Sequence, residues 1–174
     1  MSEIVTLGID PGLVKTGWGV ILARAQTAVQ FVNCGVIRTT TNASLESRLL
    51  HIYSEIQSLI AEFKPDFVAM EKVFVNANPL TSEKLIMART AGILGVAKTG
   101  LSVNGYTPNE IKKNITGFGH ASKDSVHKMV QKILNAEIIN DRKQHTLDSM
   151  DAIAVALCDT FFRDSPACKH QNYK

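Results

Sequence analysis

The sequence has few of the features that mark exported or membrane proteins. It holds only three cysteines, Cys34, Cys158 and Cys168, which lie far apart without CxxC spacing. That pattern argues against a disulfide framework or a zinc site, so we interpret them as reduced thiols, with Cys158 in the core. No apolar run approaches the roughly 18 residues of a membrane span, and the opening MSEIVTLGID lacks the basic region of a signal peptide. These absences predict a cytoplasmic protein that does not associate with membranes.

Aromatic residues are also scarce, at 6%, and the formal net charge is only +3. Hydrophobic residues make up 45% and charged residues 20% of the chain, which excludes a disordered or fibrous protein. A chain of 174 residues fits one domain. We assign this domain to residues 1–162 and predict a mobile tail over residues 163–174, because the tail has no apolar periodicity.

Short apolar runs predict five strands separated by turn and helix signals. The first three runs follow one another directly, which favours antiparallel pairing, whereas the later two alternate with helices, which favours parallel pairing. The predicted strands cover residues 4–9, 15–23, 29–38, 67–70 and 101–106. The fold class is therefore α/β, a five-stranded mixed sheet flanked by helices.

Helix starts are indicated by capping residues in front of periodic apolar residues. Ser44 precedes a stripe with spacings of three and four that ends before Pro65. Pro79, Thr107–Pro108 and Ser122 mark three further starts. The segment 145–162 is apolar on every side in its middle part and predicts a buried helix.

Two predicted strands end in an acidic residue. Asp10 follows the first strand directly before a Pro-Gly turn, and Glu71 follows the fourth. A single acid at such a place is more often an Asx turn or a surface residue. Ligands gather at the carboxyl ends of parallel strands, so the repetition favours a functional site.

A second acidic pair, Asp148 and Asp151, opens the predicted buried helix. Acids there could simply interact with the positive end of the helix dipole. However, like charges three residues apart repel, and an unpaired carboxylate beside a buried segment is costly, so a bound cation would relieve both problems. A set of four carboxylates without histidine or cysteine suits magnesium. Two such ions would support in-line displacement at a phosphodiester, which is nuclease chemistry.

Two other features allow two interpretations. Basic residues outnumber acidic residues between residues 104 and 147, which fits either a solvated helical surface or a surface for a polyanion. Gly17 and Gly19, in the strand beside Asp10, either leave room for a phosphate or mark close packing.

Taken together, several motifs resemble one known family. GIDPG with the following TGWG, AMEKVF, TPNEIKKNITGFGHASKD and DSMDAIAVA occur in order over about residues 4–162. They resemble the RuvC family of bacterial crossover-junction endodeoxyribonucleases, members of the RNase H-like superfamily. The resemblance implies an RNase H-like fold in which the family's catalytic, metal-binding acids match Asp10, Glu71, Asp148 and Asp151.

The resemblance also implies an activity and partners. The family acts as homodimers that nick two strands of like polarity in a Holliday junction, a four-way junction DNA, during recombination and repair. It implies two Mg²⁺ ions in each active site, with Mn²⁺ as a possible substitute, and coupling to the branch-migration motor formed by RuvA and RuvB.

Further residues match the family singly. Phe74 matches an aromatic near the junction's unpaired bases, although the sequence alone fits a core residue equally well. Lys112 and Lys123 match basic residues near the scissile phosphate, and Lys113 is a less secure phosphate contact. The helix from Pro79 matches the family's dimer helix. Its small residues would permit close approach of a second chain or, alternatively, ordinary core packing; they are Ala88, Ala91, Gly92 and Gly95.

Three histidines, His120, His127 and His145, have no assigned role, and an exposed position is the more frequent explanation for His145. Three rival functions remain open. GIDPG followed by TG also resembles the phosphate-binding hairpin of sugar kinases and actin-like ATPases, but those enzymes need a second lobe. Another RNase H-like nuclease could act on RNA or on RNA–DNA hybrids. A catalytically inactive junction-binding module is the third, and retention of all four acids argues against it.

Overall fold

The computed structural model describes residues 3–24, 28–73, 79–135 and 147–163. Within these ranges the elements follow the order β1 (Glu3–Asp10), β2 (Lys15–Arg24), β3 (Ala28–Arg38), α1 (Leu45–Phe63), β4 (Phe67–Glu71), α2 (Pro79–Ala97), β5 (Val103–Tyr106), α3 (Pro108–Thr116), α4 (Lys123–Ile133) and α5 (Leu147–Phe162). None of the helices in the described part of the chain has the length and apolar character needed to cross a membrane.

The strands form one mixed sheet in the order β3-β2-β1-β4-β5. β1, β2 and β3 pair antiparallel, and β1 pairs parallel with β4, which pairs parallel with β5. The predicted α/β class and strand directions are confirmed. The limits differ slightly, because Asp10 and Glu71 are the last residues of β1 and β4 rather than the residues after them.

Local capping explains where the helices begin. The hydroxyl of Ser44 accepts a hydrogen bond from the backbone N–H of Ser47, and Ser122 caps α4 in the same way. Thr107 and Glu110 form a reciprocal capping box with Pro108 at the first turn of α3. The predicted helix starts at Ser44, Thr107–Pro108 and Ser122 are therefore confirmed.

Helices cover both faces of the sheet. α1 and α2 pack with Leu7, Ile9 and Met70 on one face, while α3, α4 and α5 form the core on the other. The small residues of α2 belong to the first of these cores, since a side chain at Gly92 would meet Met70 and one at Gly95 would meet the backbone of Tyr53. These contacts favour the alternative interpretation, ordinary core packing, for Gly92 and Gly95. The match of α2 to the family's dimer helix stays a prediction.

The opposite face of β1 and β2 is lined by glycines where α5 crosses it. A Cβ atom at Gly8 would overlap the backbone oxygen of Ala152, and one at Gly17 would overlap that of Asp148. Gly19 lies against Ile153 in the same way. The interpretation of Gly17 and Gly19 as space for a phosphate is therefore wrong, because α5 itself fills that space.

The end of α5 is fixed to the sheet. Arg163 pairs with the buried Asp159 at 3.4 Å, and its guanidinium lies 3.8 Å from the centre of the Phe67 ring. Arg163 therefore belongs to the packed part of the chain, one residue beyond the predicted domain limit, and residues 164–174 lie outside the described ranges. Cys34 and Cys158 are buried, as predicted for Cys158.

We expect Gly8→Ala to lower the free energy of unfolding by about 1–3 kcal/mol or more, because the new methyl group overlaps backbone that cannot move without displacing α5. Gly119→Ala is the matched control, since a methyl group there would make only ordinary contacts of 3.4 Å or longer. Urea denaturation measures both variants. Equal stability of the two would contradict the packing described for α5.

Candidate active site

A cavity of about 250 Å³ opens at the carboxyl ends of β1 and β4. Asp10 and Glu71 line it from the strand ends, and Asp151 lines it from the start of α5. The remaining lining residues come from α3, α4 and α5: Pro108, Ile111, Lys112, Lys123, Val126 and Ala154. The cavity thus combines three carboxylates with two lysines.

Strand pairing places the first two carboxylates side by side. Ile9 lies opposite Met70 in the parallel register, so the next residue of each strand, Asp10 or Glu71, ends its strand at the same edge of the sheet. The end of β4 is held from outside the sheet, because Nε of Arg89 on α2 donates to the backbone oxygen of Glu71 at 3.1 Å. These contacts act on the backbone and keep both acids at the cavity.

Asp151 is held differently, through its own oxygens. Nζ of Lys123 donates to Oδ2 at 2.5 Å, and Nε2 of His127 lies 2.8 Å from Oδ1. The Asp151 side chain is only 13% exposed. Burial alone would raise its pKa, but the bonds to His127 and Lys123 outweigh burial and hold the pKa of Asp151 below its ordinary value. The interaction with Asp151 in turn raises the pKa of Lys123.

Asp148 lies at the margin of this group. It is not among the described residues that line the cavity, and its carboxylate lies 3.7 Å from Nζ of Lys15. Its charge nevertheless contributes to the raised pKa of Asp10. The structure thus brings three of the four predicted acids into the cavity and the fourth within electrostatic reach of Asp10.

Asp10 and Glu71 are poorly stabilised as anions. Burial, followed by repulsion from Glu71 and Asp151, raises the pKa of Asp10 to about 8. Burial and repulsion from Asp151 raise the pKa of Glu71 to about 7, although Lys123 and Lys112 act in the opposite direction. At neutral pH these two carboxyl groups are therefore partly protonated, and a bound cation would displace their protons.

This donor set fits a hard divalent cation in its chemistry. The available donors are carboxylate oxygens, which magnesium and calcium prefer, and a cation would offset the repulsion that raises the pKa of Asp10. In the described part of the chain, no three acidic, histidine or cysteine side chains converge closely enough to surround an ion as they stand. At Asp151, Lys123 and His127 already contact both carboxylate oxygens.

The predicted DNA-binding residues are placed unequally. Lys112 and Lys123 line the cavity, whereas Lys113 is exposed on α3 and is not among the described lining residues. Phe74 and His145 lie outside the described residues, so the roles discussed for them from the sequence are not tested by the structure.

Sequence reasoning missed three residues that act on the acids. His127 is buried and bonded to Asp151, Arg89 holds the backbone at Glu71, and Lys15 pairs with Asp148. A single histidine or arginine on an amphipathic helix forms no pattern that reveals its tertiary partner. His120, also unassigned, lies at the surface with its ring 5.7 Å from that of Phe118.

The raised pKa values predict how stability depends on pH. The folded chain retains protons on Asp10 and Glu71 that the unfolded chain has already lost at pH 6, so stability should fall as the pH rises from 6 through 8. We expect Asp10→Asn to remove much of this loss and to stabilise the metal-free protein at pH 8.5 by at least about 1.4 kcal/mol, the equivalent of one pKa unit.

Denaturation at pH 6 and pH 8.5 in the presence of a chelator measures this effect. Asp124→Asn is the control, because Asp124 is an exposed acid that pairs with Lys128 on α4. A metal-free Asp10→Asn protein less stable than its parent at pH 8.5 would contradict the electrostatic description.

Comparison with known proteins identifies the family of this chain. The family model described as crossover junction endodeoxyribonuclease RuvC matches residues 6–159. A relative of that name from Lawsonia intracellularis is 38% identical over 160 residues, which cover 92% of each protein. Another, from Paramagnetospirillum magneticum, is 40% identical over 157 residues, covering 90% of this chain and 91% of the relative.

Solved structures give the same result. The Thermus thermophilus RuvC structure in complex with a Holliday junction substrate matches with a TM-score of 0.82 and 27% identity, over 91% of this chain and 94% of that one. The yeast mitochondrial Holliday junction resolvase Ydc2 shares the fold, with a TM-score of 0.65 at 14% identity, over 95% of this chain and 85% of that one. This chain belongs to the RuvC family of crossover junction endodeoxyribonucleases, metal-dependent nucleases with the RNase H-like fold.

Proposed function

We propose that this chain is a Holliday junction resolvase, a cytoplasmic enzyme of DNA recombination and repair that makes symmetric, metal-dependent nicks in two strands of like polarity. The observation that carries the proposal is the cavity at the ends of β1 and β4, where three carboxylates face two lysines. Its occurrence in a member of the RuvC family supports a junction as the substrate. The nuclease domain is proposed to span residues 1–162.

Asp10, Glu71, Asp148 and Asp151 are the proposed metal ligands, and two Mg²⁺ ions, replaceable by Mn²⁺, are the proposed cofactors. When bound, such ions stabilise negative charge on the phosphodiester during in-line displacement and help to ionise the attacking water. The raised pKa values of Asp10 and Glu71 support this assignment, because these two groups gain most from a neighbouring cation.

Lys112 and Lys123 are proposed to hold the scissile phosphate beside the acids. Both line the cavity, and each carries a positive charge that lowers the pKa of Glu71. Lys123 also has a second function in this proposal. Its ammonium group bonds Asp151 and neutralises that carboxylate, so it would compete with a metal ion for Asp151. Phe74 and Lys113 remain proposed DNA contacts, by resemblance.

A homodimer is proposed because two symmetric nicks need two active sites and a two-fold junction is best matched by a two-fold protein. The face formed by α1 and α2 supports it. Leu50 is 63% exposed, Ile86 43% and Leu94 56%, and they line an apolar groove of about 370 Å³. Exposed apolar surface of this kind marks contacts between proteins. Family membership further supports cooperation with the branch-migration motor formed by RuvA and RuvB.

The activity is tested with an end-labelled synthetic four-way junction in Mg²⁺. We expect paired symmetric nicks, and we expect Asp10→Asn to reduce the cleavage rate at least about 100-fold while junction binding persists, because the variant removes a proposed ligand. Asp124→Asn is the matched control, since that side chain is 73% exposed and is not among the residues that line the cavity.

Linear duplex and an RNA–DNA hybrid are cut alongside the junction. Comparable cleavage of the hybrid would reassign the chain as another RNase H-like nuclease, and equal cleavage of all substrates would remove junction selectivity. Binding without any cleavage would indicate an inactive junction-binding module, and retained cleavage by Asp10→Asn would overturn the catalytic assignment.

The dimer is tested by placing charge on its proposed face. We expect the double variant Ile86→Glu, Leu94→Glu to sediment at the mass of one chain under conditions in which the parent sediments at twice that mass, because apposed carboxylates repel and are costly to bury. Val32→Glu, on the exposed surface of β3, is the control. A double variant that remains dimeric with the parent's affinity would place the interface elsewhere.

A further inference from the structure

A second groove lies on the side of Asp10 away from α3 and α4. It has a volume of about 610 Å³, and its walls come from the turn between β1 and β2, from α1 and from α2. Three cationic side chains line it, Lys15, Arg48 and Lys84. Among the described lining residues there is no acid. An anion is therefore the ligand that this groove suits by charge.

This basic groove is linked to the active-site cavity through neighbouring lining residues. A smaller cavity of about 210 Å³ lies between them and shares Asp10 and Glu71 with the active site. The same intermediate cavity shares Leu85 with the basic groove. We therefore treat the three as one trough, with Lys112 and Lys123 at one end, the acids and Lys72 in the middle, and the basic groove at the other end.

The wall of the basic groove is held by specific hydrogen bonds. The guanidinium of Arg48 donates to the backbone oxygen of Leu13 at 3.1 Å and to the hydroxyl of Thr39 at 2.9 Å. The backbone N–H of Thr39 donates to the oxygen of Val14 at 3.1 Å. Arg48 thus fixes the turn that follows Asp10 and adds its charge to the groove at the same time.

The placement of the basic residues along the trough suits a single DNA strand. The acids at the centre supply no positive charge to a phosphate, so the affinity for a strand has to come from basic groups beside them. Lys112 and Lys123 supply one side only. Lys84 is exposed, and the Lys15 side chain is 49% exposed. Both are therefore accessible to phosphates of a strand that crosses the acids.

Building on the proposed function, we propose that the basic groove binds the sugar-phosphate backbone of the cleaved strand on the side of the scissile phosphate opposite to Lys112 and Lys123. The cleaved strand then runs the length of the trough and crosses the acids at its middle. Phosphate contacts of this kind fix the register of the strand without reading its sequence.

Lys84 provides the cleanest test, because it is exposed and distant from the acids in the sequence, whereas Lys15 contacts Asp148 and Arg48 supports the turn. Lys98 is the matched control. It is an exposed lysine just beyond the last residue of α2, about 20 Å along the helix from Lys84. All variants are made in the Asp10→Asn background and bound to an intact four-way junction.

We expect Lys84→Gln to weaken junction binding roughly 3- to 10-fold and to lower the salt slope of the affinity by about one for each subunit that contacts the strand. Lys84→Arg should retain most of the parent's affinity, and Lys98→Gln should match the parent. Equal affinity and equal salt slope for Lys84→Gln and Lys98→Gln would overturn the proposal.

The direction of the strand is tested by replacing single phosphates beside the cut with neutral methylphosphonates. A phosphate that contacts Lys84 should lose its contribution in the Lys84→Gln variant, so the two changes should be less than additive at that place. Phosphates coupled to Lys84 and to Lys112 should lie on opposite sides of the scissile phosphate. Coupling of both lysines to the same side would contradict the proposed path.

The outcome is separable from that of the proposed function. Cleavage of the junction by the protein with Asp10 intact reports on the function, whereas the binding cycles use a variant that does not cleave. A junction-cleaving parent in which Lys84→Gln changes nothing would refute only the basic groove.

Discussion

The close contact between α5 and the glycine-lined face of β1 and β2 determines the rest of the site. Because Gly8 and Gly17 carry no side chains, the backbone of α5 lies directly on the strands at Ala152 and Asp148. Any side chain at these two places would push the helix outward and move its first turn away from the strand ends. The distance between the acids of α5 and those of β1 and β4 is therefore a consequence of backbone packing.

This packing creates an electrostatic problem whose partial solution is visible in the chain. Asp10 and Glu71 have raised pKa values because burial, followed by repulsion from neighbouring carboxylates, disfavours their charged forms. The pKa of Asp151 is lowered instead, because His127 and Lys123 bond to its carboxylate. Asp10 and Glu71 thus lack enough neighbouring positive charge to stabilise their anions, whereas Asp151 is already neutralised. Metal binding, as proposed, would supply positive charge beside Asp10 and Glu71 and would compete with Lys123 for Asp151.

Much of this arrangement could be predicted from the sequence, because the relevant signals are local. An acid at the end of an apolar run and an acid pair at the start of a buried helix can be recognised without knowing the fold. The glycines show the limit of such reasoning: a glycine beside a predicted site suggests space for a ligand, but only the structure reveals that α5 occupies it. Likewise, the small residues of α2 pack inside the chain, while the exposed apolar surface comes from Leu50, Ile86 and Leu94.

The partners of His127 and Arg89 depend on tertiary contacts between distant elements, so sequence spacing could not identify them. The acids at the ends of β1 and β4 and at the start of α5 are proposed to form the metal site. The most direct measurement is anomalous diffraction from crystals soaked in Mn²⁺. We expect a peak in contact with the Asp10 carboxylate, with Lys123 moved away from Asp151. A well-occupied ion elsewhere, with the bond between Lys123 and Asp151 unchanged and no peak at Asp10, would contradict it.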